Sequence, residues 1–319
     1  MKEYNIGIDV GGTKTAFGLF EDETLIYKDK IPTISDISQK EFVDATSNHI
    51  LTILAKHNIP EEALSGVALA MPSYVDSENG IVVSTPNILK LSNFPAREMF
   101  RETLPEVRMI VDNDTNAAAL AEHRLGAGRG YKHMVYTAIS SGLGSGFIIN
   151  NELYRGSGGG AGESGHMIVN PGETQDYCGC GNGGCFMGQA AGIAIIRHTL
   201  KAIESGQKTI LTELVDHQLD QITAVTLKQA FDLDDPLAIQ MVDQMGYYIG
   251  LYTYNLFVSF NFSCYVYGGG LVAFGQSLFE RIRNTFDQYN NQAGQDIIIK
   301  QAELGEDCGL LGARALLER

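Results

Sequence analysis

The sequence predicts a two-domain α/β fold, and three observations predict it. Short apolar strands alternate with stretches of helical spacing, a strand–glycine turn–strand unit opens each half, and one apolar strand runs directly into a polar turn and an alanine-rich helix. A length of 319 residues with 44% hydrophobic content is enough for a substantial core in each domain.

The elements follow in order. Asn5 to Val10, Thr15 to Phe20 and Leu25 to Ile31 read as three strands of a meander, the first two joined by Gly11-Gly12-Thr13-Lys14. Phe42 to His57 has helical spacing. Gly66 to Ala70 and Val107 to Val111 are short apolar strands, the second ending at Asp112-Asn113-Asp114 and leading into a helix from Thr115 to Arg124. The opening theme then returns as a strand from Met134 to Ile139, a glycine turn from Ser140 to Gly146 and a strand from Phe147 to Asn150. Residues 156–188 are dense in glycine, helical patterning dominates from Ala190 to Leu233, and Gln240 to Phe257 reads as a buried helix. A strand from Cys264 to Tyr267, a turn at Gly268-Gly269-Gly270 and a helix from Gln276 to Asp287 complete the pattern. No low-complexity linker separates the halves, so the repeated theme sets the boundary, near residue 120, between domains 1–120 and 121–305.

Composition excludes several classes. With 23 Lys plus Arg against 38 Asp plus Glu, the formal charge of -15 would repel a nucleic-acid backbone or an anionic membrane over most of the surface. The first residues enter an apolar strand without the long apolar core and small residues of a secretory signal, and no run is long enough to span a bilayer. A soluble, cytoplasmic protein is expected. In a reducing compartment, three cysteines within eight residues suggest a metal site more than disulfides.

Four features carry chemistry. The turn Asp9-Val10-Gly11-Gly12-Thr13-Lys14 joins two strands, and its glycines are expected to leave backbone N–H groups open to an anion, with the Thr13 hydroxyl and the Lys14 charge beside them. It is no Walker A loop, since that motif requires a following helix. Asp9, at the strand end, is a candidate to hold Mg²⁺ through water. The second glycine turn, Ser141, Gly142 and Gly144, is a candidate to grip the same phosphates. Asp114 sits between strand and helix, where it reads equally as a base that accepts a proton from a substrate hydroxyl, with Asn113 bonding a sugar, or as the helix cap. Finally, Cys178, Cys180 and Cys185 with His166 offer four ligands, enough for a closed tetrahedral structural Zn²⁺ site, free thiols being the alternative. Cys264 and Cys308 read as buried small hydrophobes. Two matches to G-x-G-x-x-G, beginning at Gly160 and Gly179, lack the strand-to-helix context of a dinucleotide site and are discounted.

Together these pieces resemble the ROK family of repressors, open reading frames and sugar kinases, within the actin-like ATPase superfamily. The resemblance rests on Asp9 to Lys14, on Asn113-Asp114 followed by Asn116-Ala117-Ala118-Ala119, on Gly162-Glu163-Ser164-Gly165-His166, on Cys-Gly-Cys-Gly-Asn-Gly-Gly-Cys at 178–185, and on Gly309-Leu310-Leu311-Gly312-Ala313. It implies an actin-like, ribonuclease H-like fold with ATP and sugar in an interdomain cleft, the helix at about 306–319 rejoining the first domain. It further implies that Asp114 is the general base and that Asn87, Asn113, Glu163 and His166 touch sugar hydroxyls, His166 also binding the zinc. The first hairpin, the Ser141-Gly142 turn and Gly268-Gly269-Gly270 would contact the γ/β-phosphates, the phosphates and the adenosine of ATP. A homodimer is implied as well.

The chain departs from the family pattern in three places. Met187 stands where the family's kinases usually carry a sugar-bonding Glu, Ser140-Ser141-Gly142 replaces Gly-Thr-Gly, and Ala70-Met71-Pro72-Ser73 replaces a more glycine-rich loop. A repressor of the family resembles this chain plus an N-terminal DNA-binding unit, which is not expected here because the phosphate strand begins by residue 5. The expected activity is therefore ATP-dependent phosphorylation of a hexose, with a sugar-binding regulator as the second reading.

Overall fold

The computed structural model describes residues 3–85, 88–172, 178–291 and 295–318. Cα packing divides the chain into two compact units: Met1–Lys132 with Gly146–Gly162 and Glu303–Arg319, and His133–Ser145 with Glu163–Ala302.

In the first unit, β1 (Tyr4–Val10), β2 (Lys14–Glu21) and β3 (Thr24–Pro32) form the expected meander. α1 (Gln39–Lys56) starts at a Ser38–Glu41 capping box and buries Phe42, Val43, Thr46, Ile50, Ile53 and Leu54, the spacing of one helical face. β4 (Leu64–Met71) follows, then a small hairpin of β5 (Tyr74–Asp76) and β6 (Ile81–Ser84), and α2 (Ala96–Thr103). β7 (Arg108–Asn113) passes without a break into α3 (Asp114–Arg124). The sheet order is β3-β2-β1-β4-β7, with β1, β4 and β7 parallel. β3 alternates between exposed and half-buried residues and carries Lys28, Asp29 and Lys30, charges that blunt an open sheet edge. Under the sheet, Phe42, Phe94 and Phe100 meet tilted or edge to face inside a core drawn from β1, β4, α1 and α2.

The remaining strands are β8 (Met134–Ile139), β9 (Leu143–Ile149), β10 (Glu152–Tyr154), β11 (Cys264–Gly268) and β12 (Ile298–Gln301), in the sheet order β10-β9-β8-β11-β12. The stretch read as broadly helical resolves into α4 (Phe186–Ala190), α5 (Gly192–Glu204), α6 (Leu211–Leu214) and α7 (Ala224–Asp232). α8 (Pro236–Phe260), capped by Asp235, is longer than its apolar run suggested. α9 (Gln276–Tyr289) packs closely on it: a Cβ at Gly246 would strike Arg281, and one at Gly250 would strike Thr285. α10 (Cys308–Ala315) returns to the first unit, where Leu310 and Ala313 lie against Gly7 of β1 and Gly312 against the Ala117 carbonyl of α3. Among the described residues, no helix is long and apolar enough to cross a membrane.

Candidate active site

In the first unit, register places Asp9 opposite Ala70 and Met71 opposite Asn113. Asp9, the loop after Met71 and the Asn113-Asp114 turn therefore lie at the carboxyl ends of three adjacent parallel strands, where open α/β sheets gather ligand groups. The Gly11 N–H donates to the Lys14 carbonyl at 2.9 Å, closing the hairpin. That donor serves the turn itself and is not open to an anion as the sequence suggested. Burial pushes the Asp9 carboxyl above the ordinary carboxylate range, and Lys14 pulls it part of the way back. Gly309, in the first turn of α10, lies so close to this carboxylate that a Cβ there would collide with it.

The sequence left Asp114 open between base and cap. The cap is Asn113, whose Oδ1 accepts the N–H groups of Thr115 and Asn116 at 2.8 and 3.1 Å while its Nδ2 donates to the Ser73 carbonyl at 3.0 Å. Asp114 is instead the first helical residue, half-buried, with Oδ1 accepting the Thr115 N–H at 2.7 Å and the Thr115 hydroxyl at 3.2 Å. A negative charge at this position is favoured by the helix dipole. Asn87 lies outside the described residues.

Sequence reasoning passed over Asp112, although a carboxylate directly after the apolar run Met109-Ile110-Val111, at the end of a strand, is a candidate buried charge in need of partners. It is 1% exposed and accepts Arg155 Nε at 2.7 Å. Arg155 opens the glycine-dense segment, which lies on β5: Tyr74 donates its hydroxyl to the Gly158 carbonyl at 2.5 Å, and a Cβ at Gly159 would strike the Val75 carbonyl. Glycine at 158–160 thus serves close backbone packing, which supports setting aside the dinucleotide match.

The second unit holds the other predicted residues. β8 and β11 are parallel neighbours, and each ends in a glycine turn. Ser140 donates its N–H to the Gly142 carbonyl at 3.0 Å, and its own carbonyl accepts the Gly192 N–H at 2.8 Å, pinning the start of α5 to the turn that bears Ser141. Gly269 has φ +88 and lies against the Ile139 carbonyl, so only glycine fits there, while Gly268 leaves room for the Tyr136 ring. Gly270 faces Ser140: a Cβ there would lie 4.0 Å from the Ser140 hydroxyl. The Ser141-Gly142 and Gly268 to Gly270 turns are therefore side by side.

Glu163 precedes a short 3-10 turn, Ser164–His166. Hydroxyl contacts of 2.7 Å between Ser145 and Ser164 and 2.6 Å between Ser145 and the buried Tyr252 hold this turn to β9 and α8. Met187 lies beneath it, its terminal methyl 3.0 Å from the place of a Cβ on Gly165 and 3.8 Å from that of Gly142. His166 Nε2 is 3.9 Å from the Glu163 carboxylate.

On its other side, His166 Nδ1 is 3.4 Å from Cys178 Sγ, and the Cys180 and Cys185 sulfurs are 3.6 Å apart. All four ligand atoms lie within 4.8 Å of one another. A tetrahedron with zinc–sulfur bonds of about 2.3 Å has sulfur–sulfur edges of about 3.8 Å, so the four residues fit a closed zinc site. Burial pushes the Cys185 thiol up to about 12. Cys264 and Cys308 are buried apart from this cluster, as expected.

Two α/β units whose parallel strands end in glycine turns or in an acid–amide turn define the class of protein, and comparison with known proteins identifies it. The chain belongs to the ROK family, whose model matches residues 5–319. A glucokinase of Halalkalibacterium halodurans is 30% identical over 317 residues, 98% of this chain and 94% of the relative. A xylose repressor of Bacillus spizizenii is 26% identical over 318 residues, 98% of this chain and 77% of the relative. Among solved structures, a ROK family glucokinase from Streptomyces griseus in complex with glucose and AMPPNP matches with a TM-score of 0.80 at 28% identity, covering 97% of each chain. The actin-like ATPase fold expected from the sequence is the fold of this protein.

Proposed function

We propose that this protein is an ATP-dependent hexose kinase that transfers the γ-phosphoryl group to a sugar hydroxyl, O6, with Asp114 as general base. The observation that carries the reading is the place of Asp114: a half-buried carboxylate in the first turn of α3, a helix whose N-cap is Asn113, in a chain of the ROK family. Asp114 accepts the hydroxyl proton as the sugar oxygen attacks phosphorus in line, and catalysis comes chiefly from positioning and charge stabilisation.

Asn113, Glu163 and His166 orient the sugar, and Asn87 is assigned to it by resemblance. With Nδ1 facing the cysteines, His166 presents Nε2 to the substrate side, beside Glu163. Gly12, Thr13, Lys14, Ser141 and Gly142 hold the phosphates, with Gly11 closing the hairpin that presents the first of them, and Gly268, Gly269 and Gly270 hold the adenosine. Asp9 is the residue suited to Mg²⁺, because a carboxylate disfavoured by burial gains from a cation. Mg²⁺, when bound, neutralises charge on the phosphates. His166, Cys178, Cys180 and Cys185 hold a structural zinc that shapes the sugar side.

A coupled ADP-release assay over glucose, allose, mannose, fructose and N-acylated hexosamines tests the reading. Turnover of at least one sugar is expected, and Asp114→Asn should abolish it while leaving ATP affinity within about fivefold. Retained turnover in that variant removes Asp114 from the role of base. Met187, and the similarity to a xylose repressor, favour a second reading as a sugar-binding regulator. That reading predicts sugar binding by calorimetry without ADP release.

A further inference from the structure

We propose that Asp112 is a positioning residue for the catalytic turn: its buried carboxylate locks the first turn of α3 and thereby aims Asp114. The catalytic consequence rests on the kinase reading, whereas the lock rests on geometry alone. Asp112 Oδ1 accepts the Asn113 N–H at 2.8 Å and Asn116 Nδ2 at 2.9 Å. These two residues flank Asp114 and Thr115, so one oxygen grips the turn on both sides of the base. Asn116 Oδ1 is buried without a partner among the described residues, and its Nδ2 is oriented by the bond with Asp112.

The second oxygen gathers the surroundings. Oδ2 accepts Arg155 Nε at 2.7 Å, Arg155 Nη2 at 2.6 Å and the Ser77 hydroxyl at 3.3 Å. A carboxylate that served only to neutralise Arg155 would not need the three other donors. Through Arg155 and Ser77 the catalytic turn is tied to the start of the glycine-dense segment and to the β5–β6 hairpin, and Asn113 Nδ2 adds a tie to the Ser73 carbonyl. A general base must be held within a fraction of an ångström of its proton, and a misplacement of about 1 Å costs roughly a hundredfold in rate. Asp112 supplies that constraint without touching substrate.

The test uses Asp112→Ala, which removes the accepting oxygens, together with the double variant Asp112→Ala/Arg155→Gln, which strands no buried charge and so keeps the experiment open should the single variant fail to fold. Amide hydrogen exchange at Thr115 and Asn116 should rise at least about tenfold in both variants of the full chain. With a sugar that the wild type phosphorylates, kcat should fall about 10- to 100-fold while KM for ATP stays within about threefold. Unchanged exchange at those two amides overturns the proposal, whatever the activity. Raised exchange with unchanged kcat overturns the catalytic link and makes Asp112 a purely structural residue. Should the wild type phosphorylate no sugar, the kinase reading falls while the exchange measurement still decides the lock.

Discussion

Burial raises the Asp9 carboxyl in the folded chain above its unfolded value of 3.8. The folded state then binds that proton more tightly than the unfolded one, so stability falls as pH rises through the interval between the two values and stays lower at neutral pH. Asp9→Asn should therefore raise the melting temperature of the ligand-free chain at about pH 7, with the gain shrinking as pH approaches about 4. Scanning calorimetry across that range checks the sign, and the same variant should lose most of the stabilisation that Mg-ATP gives the wild type. Met187 sets a second limit at this scale. Its methyl group sits beneath the Gly165 turn, and on the kinase reading proposed above a carboxylate of similar length there would meet a sugar hydroxyl. A hydrogen bond to a charged acceptor is worth about 1.5–3 kcal/mol, or roughly one to two decades of affinity. Met187→Glu should lower KM for whichever sugar the wild type phosphorylates by about ten- to hundredfold with kcat little changed, and an unaltered KM in the coupled assay would remove Met187 from the control of specificity.

Among the elements, the glycine-dense stretch gains most from tertiary context. As sequence it offered two false phosphate motifs and one metal pattern. Folded, its first half lies on β5 because Gly158 to Gly160 carry no side chains, and its second half brings His166 to Cys178. The four sulfur and nitrogen ligands should bind one zinc per chain, measurable by mass spectrometry of the purified protein. Chelation, or Cys178→Ser, should lower the melting temperature and raise the sugar KM more than the ATP KM, as the proposed double role of His166 in metal and sugar binding requires. Full retention of both constants in a metal-free preparation would refute the zinc assignment. The cap of α3 teaches the same lesson from the other direction. Asn and Asp are about equally good at that position, so only the backbone geometry of β7 made Asn113 the cap and Asp114 the first helical residue.

For the whole molecule, the first unit is assembled from three separate stretches of chain, with α10 closing over β1, β2 and β4. Gly312 allows that closure, since any Cβ would meet the Ala117 carbonyl of α3. Gly312→Val should destabilise the protein by about 1–3 kcal/mol, as overpacked contacts do, and thermal denaturation would register the loss. Wild-type stability in that variant would mean that α10 does not pack on α3 as described.

Strand and helix identities along most of the chain, both glycine turns and the His–Cys ligand set were decided by local sequence, because periodicity, glycine's backbone freedom and ligand chemistry all act over a few residues. Short elements such as β5, β6, β12 and α2 were not legible, being too brief for their pattern to rise above that of loops. Only the tertiary structure decided which side chains share a carboxyl edge of a sheet, that the Gly11 N–H closes its own turn, and that Asp112 draws donors from Asn113, Asn116, Ser77 and Arg155. Those contacts join residues as many as 43 positions apart, set by strand order and register, and no short window of sequence contains them.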